Sequence, residues 1–118
     1  MYHNIPAALL RFPSLTKFPS SLGNETTVLD SSISHYRTIM STNLDSVYYC
    51  ARAAGKHWRR QAKEGTTLVG EKLQDFRRGS FVATASMSGH IVNYPHVQTA
   101  YNTSKAGVIH MCKASLID

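Results

Sequence analysis

Apolar side chains recur at three- and four-residue steps from Ile33 onward: Ile33, Tyr36, Ile39, Met40, Leu44, Val47, Tyr48, Ala51 and Ala54. That spacing marks one apolar helix face and predicts a long helix over about residues 33–62. Ser32 is placed to cap its first turn. The basic cluster Lys56-His57-Trp58-Arg59-Arg60, with Lys63, suits the opposite end, where cations offset the helix dipole. Residues 63–78 lose the period and predict a surface insertion. The short apolar run from Ser80 to Ala85 predicts a strand buried on both faces. Ser86-Met87-Ser88-Gly89 ends it, a polar loop continues to about Thr99, and a second helix starts near Ala100.

Helix, buried strand, loop, helix is the middle of a doubly wound α/β sheet. The expected fold is therefore α/β: a partial Rossmann-like doubly wound parallel sheet, represented by its central helix-strand-helix portion. One strand cannot make a parallel sheet, and residues 7–12 or 66–69 offer only weak candidates for a second. Residues 1–29 hold three of the four prolines and many serines, and predict a poorly ordered leader, faintly like a transit peptide. Residues 30–118 are then read as one incomplete domain, with 63–78 as its surface insertion.

Composition narrows the function classes. A chain of 118 residues is one domain at most, and 42% apolar with 17% charged residues argues against wholesale disorder. No apolar stretch reaches the roughly 18 residues of a membrane span, so a cytoplasmic location and no membrane partner are expected. Cys50 and Cys112 are far apart, which supports neither a metal site nor a disulfide framework. Lys and Arg outnumber Asp and Glu by 13 to 7, giving +6. The charge is spread out apart from the cluster at the helix end, so no nucleic-acid partner is expected. Gly65 and Gly70 imitate a phosphate loop, but Glu71 and Lys72 stand where Lys and Ser/Thr are required.

The strongest chemical signal is Tyr101-Asn102-Thr103-Ser104-Lys105. Four residues apart on a helix, Tyr101 and Lys105 share one face. An ammonium about 4 Å from a phenol, at an effective dielectric of about 20, favours the phenolate by roughly 4 kcal/mol. That makes the phenol a working acid and base near neutral pH. Taken alone the pair is weak, because any amphipathic helix can contain it. Ser86 falls at the carboxyl end of the expected strand, where open α/β sheets place ligands, though a turn-capping serine would look the same. Asn43 interrupts the apolar stripe between Met40 and Val47 and needs a hydrogen-bond partner if buried.

Together these residues resemble the classical short-chain dehydrogenase/reductase family. Thr42-Asn43-Leu44, Gly79-Ser80-Phe81-Val82, Ser86-x-x-Gly89 and Tyr101-x-x-x-Lys105 occur in that family's order and approximate spacing. Val47 to Gly55, Thr84 to Asn93 and Gln98 to Asn102 look most like fungal NADP-dependent mannitol dehydrogenases, sorbose reductases and related carbonyl reductases. The resemblance implies Tyr101 as general acid in carbonyl reduction and base in alcohol oxidation. It implies Lys105 as the group that eases proton loss from Tyr101 and holds the nicotinamide ribose. Ser86 would orient the substrate oxygen, and Asn43 would sit in a helix distortion whose backbone carbonyl binds a water leading to Lys105. Ser88 competes with Ser86: its spacing of 13 to Tyr101 is common in the wider family, against 15 for Ser86. Ser86 is preferred because it opens the Ser-x-x-Gly pattern. The loop from His90 to Thr99 would line the substrate pocket.

Implied with the family are NADP as cofactor, with NAD possible, a polyol or ketone substrate, and homotetrameric full-length relatives. The family's glycine-rich pyrophosphate turn has no counterpart here, since the glycines at 23, 55, 65, 70, 79, 89 and 107 never cluster. The chain is accordingly expected to be a truncated product that neither binds the dinucleotide tightly nor turns over substrate alone. Two other classes compete: a non-catalytic remnant or interaction module, and a small basic nucleic-acid binder with steeply salt-dependent binding.

Overall fold

Ser32 starts the first helix by accepting the backbone N–H of His35 on its hydroxyl at 3.1 Å. In the computed structural model, which describes residues 27–114, helical conformation then runs unbroken from Ile33 to Glu64. It comprises α1 (Ile33–Met40), a π-turn (Ser41–Asp45) and α2 (Ser46–Glu64). The π-turn is a widened coil in which the Ser46 N–H bonds the Ser41 carbonyl, five residues back. Gly65 ends α2 in the left-handed conformation, φ 65°, with its N–H on the Gln61 carbonyl. α3 (Thr99–Ala114) is the second helix, starting within a residue of its predicted position.

The leader expected over residues 1–29 lies outside the described residues except for its last three, which open a turn closed by Ser31 N–H on Thr27 O. The weak strand candidate at 7–12 lies outside them as well. Residues 65–73 form a small hairpin-like loop. A single antiparallel bridge joins Thr66 to Lys72, and Leu73 N–H returns to Gly65 O. Leu68 and Val69 stand exposed at its tip.

The run Ser80–Ala85 departs from expectation: it is extended but forms no strand, and no parallel sheet is present among the described residues. An apolar run reports burial, whereas a strand exists only through backbone bonds to a neighbour. None of the described segments pairs with this one. Val82 is consequently 92% exposed rather than buried. Phe81, Ala83 and Ala85 point the other way and are half-buried. The run enters over Trp58, whose indole lies so close to Gly79 that an added Cβ would meet it at 1.9 Å. Trp58, read in sequence as part of a basic helix end, therefore anchors the chain that leads toward Ser86.

The packed interior is small. Ile39, Ala54 and Val108 are the buried apolar side chains among the described residues, and Ser104 in α3 is fully buried as well. α3 packs against both α1 and the π-turn, so the centre of the molecule is where Asn43 meets Ser104.

Candidate active site

Three elements meet around α3: its own first two turns, the π-turn, and a 3-10 turn at Met87–Gly89. Tyr101 sits in the first turn of α3 and Lys105 one turn later on the same face. The Lys105 ammonium stands 5.7 Å from the centroid of the Tyr101 ring and donates to the Thr84 carbonyl at 3.0 Å. Thr84 lies in the extended run two residues before Ser86, so this bond fastens Lys105 to the segment carrying the serine.

Ser86 caps the 3-10 turn, its Oγ accepting the Ser88 N–H at 3.2 Å. Ser88 is buried, and its own Oγ accepts from Asn93 Nδ2 at 2.7 Å. The two candidate serines are thus different in kind. Ser86 is half-buried with its hydroxyl proton uncommitted, whereas Ser88 is enclosed and ties the following loop to the turn. Gly89 presses the turn onto α3: a Cβ there would lie 2.7 Å from Ile109 Cδ1 and 2.8 Å from Ala106 N and the Lys105 carbonyl carbon. In physical terms Ser-x-x-Gly is a capped turn seated directly on the helix that bears Lys105.

Asn43, in the π-turn, is half-buried and donates through Nδ2 to Ser104 Oγ at 3.1 Å. Next to it Leu44 fills the space over Gly107, where a Cβ would come within 2.9 Å of Leu44 Cδ2. The structure therefore gathers Asn43, Tyr101 and Lys105 around two turns of α3 and holds Ser86 alongside through Thr84 and Gly89. It makes no hydrogen bond between Ser86 and Tyr101, and the Tyr101 hydroxyl has no protein partner among the described residues.

The loop after the turn lines a cavity of about 250 Å³ together with the start of α3; Val92, Pro95, Val97, Gln98, Thr99 and Asn102 are in its wall. Tyr101 and Lys105 are not, so this concavity opens on a neighbouring face of the helix. Among the described residues no group of His, Cys, Asp or Glu is arranged to hold a metal, and no helix is long and apolar enough to cross a membrane.

Sequence reasoning missed Ser104 and Thr84. Ser104 passed as a spacer between Tyr101 and Lys105, although its four-residue distance from Val108 placed it on the buried stripe. Thr84 acts through its backbone carbonyl, which side-chain identity cannot announce.

A family model described as enoyl-(acyl carrier protein) reductase matches residues 20–115. The chain belongs to the short-chain dehydrogenase/reductase family. It is 53% identical over 90 residues to an L-xylulose reductase of Hypocrea jecorina, covering 76% of this chain and 31% of that protein. It is 42% identical over 105 residues to an NADP-dependent mannitol dehydrogenase of Aureobasidium melanogenum, covering 87% of this chain and 34% of the relative. A sorbose reductase of Schizosaccharomyces pombe is 36% identical over 80 residues, covering 68% and 26% respectively. The chain thus spans about a third of the length of the curated relatives it matches. Family membership implies the Rossmann-type α/β fold, of which the described residues supply helices and one extended, unpaired run.

Proposed function

We propose that this segment carries the proton-transfer machinery of an NADP(H)-dependent oxidoreductase that interconverts a polyol and a ketose. The relatives named for L-xylulose, mannitol and sorbose support that substrate class, and those named NADP-dependent support the cofactor. One observation carries the reading. The Lys105–Thr84 bond and the seating of Gly89 on Lys105 and Ala106 bring the serine-bearing turn against the helix of Tyr101 and Lys105.

Tyr101 gives its phenolic proton to the substrate carbonyl oxygen in reduction and takes the alcohol proton in oxidation. Ser86 uses one oxygen lone pair on the Ser88 N–H and keeps its O–H to donate to the same substrate oxygen. Lys105 has three N–H donors, of which the Thr84 carbonyl takes one. The remaining two suit the ribose hydroxyls of a nicotinamide nucleotide and stabilise the phenolate left when Tyr101 releases its proton. Asn43 lies where the helix ladder widens, which suits a backbone carbonyl that binds a water on the way to Lys105. NADP(H), when bound, supplies or accepts the hydride. The donor set of this segment fits the nicotinamide-ribose end; the pyrophosphate end needs residues other than these, because no glycine-rich turn occurs in the sequence.

The test is the consumption of NADPH with L-xylulose or sorbose by a complete dehydrogenase carrying this segment, with Ser86→Ala and Ser88→Ala compared. Ser86→Ala is expected to lower kcat by about 10²–10³-fold, the usual loss for an oxyanion donor. Ser88→Ala is expected to lower thermal stability with a much smaller effect on kcat. Turnover that survives Ser86→Ala and vanishes in Ser88→Ala would reverse the assignment.

A further inference from the structure

Ser104 is the most enclosed polar side chain of the described residues, with no exposed surface. Its hydroxyl works in both directions: it accepts Asn43 Nδ2 at 3.1 Å and donates to the Tyr101 carbonyl at 2.7 Å. The second of these is a local bond that many helical serines make. The first joins residues 61 apart in sequence and ties the π-turn to α3 side chain to side chain.

We infer that Ser104 is a positioning residue, which locks the π-turn carrying Asn43 in register with the helical turn carrying Tyr101 and Lys105. Three features make it a lock rather than core filling. A half-buried amide meets a buried hydroxyl. Removing the hydroxyl takes this acceptor from the amide, and removing the amide leaves the hydroxyl only its local bond to Tyr101. Leu44 and Gly107 interlock immediately beside them, and because a Cβ at Gly107 would crowd Leu44, the approach of the two elements is already at its limit. The hydroxyl ends on the backbone of Tyr101 itself, so a shift of the π-turn is transmitted to the residue that moves the proton. The inference rests on the site proposed above, but its test does not require turnover.

That test is nuclear magnetic resonance of the whole chain as wild type, Ser104→Ala, Asn43→Ala and the double variant, with the Tyr101 ring and the Asn43 side-chain amide observed. Ser104→Ala should displace the Asn43 amide signals, displace the Tyr101 ring signals, and speed amide exchange at 41–46 by about tenfold, the equivalent of one lost hydrogen bond. Asn43→Ala should move the same Tyr101 signals, and the double variant should add nothing further. Should Ser104→Ala fail to fold, Ser104→Cys keeps the volume with a much weaker donor and must show the same signature. A variant that is merely less stable, with the Asn43 and Tyr101 signals unmoved, would overturn the inference, as would single effects that sum in full. A complete dehydrogenase that fails to reduce any ketose would count against the proposed function and leave these couplings standing.

Discussion

At Gly89 there is room for a hydrogen and nothing larger, because the 3-10 turn lies against both the backbone of α3 and Ile109. Gly89→Ala must therefore push the turn off the helix. The expected cost is about 1–3 kcal/mol, read as a lower midpoint of urea unfolding. Gly107→Ala is expected to cost less, since the atoms it meets belong to the Leu44 side chain, which can change rotamer. The pairing of Tyr101 with Lys105 was legible in the sequence because helical spacing alone puts them on one face. What the ammonium bonds to was not, because its partner is a main-chain oxygen at Thr84.

The long helix shows where the sequence pattern succeeds and where it stops. Its period, its Ser32 cap and its end near Lys63 could be read directly, and the helix ends at Glu64 with Gly65 as its stop. The π-turn could not be read from periodicity, since one widened turn shifts the stripe by less than the spacing varies. Its trace is Asn43, a polar residue where the period calls for an apolar one. Deletion of Thr42 should restore an ordinary helix and leave α1 and α2 in nearly the same relative rotation, because the widened turn accommodates one extra residue. Helix content by circular dichroism is then expected to stay the same and α1 to stay on α3, while the Asn43–Ser104 bond is lost. Ser32→Ala is a milder change at the same element and should cost about 1 kcal/mol.

On the scale of the whole molecule, apolar surface is left open. Val82 and Tyr94 are each 92% exposed, and Val69 and Val92 each 80%. Large apolar side chains left in water favour association, so the chain is expected to self-associate with rising concentration, measurable by light scattering. The extended run 80–85 belongs to the same account. Its apolar pattern said that it would be covered, and nothing in that pattern could say which segment would cover it. The most direct measurement on the central claim, that Tyr101 is the proton donor of this site, compares Tyr101→Phe with the parent in a complete dehydrogenase carrying the segment. Single-turnover ketose reduction is expected to fall by about 10²–10⁴-fold while NADPH affinity stays within a few-fold. An unchanged rate in the phenylalanine variant would contradict it.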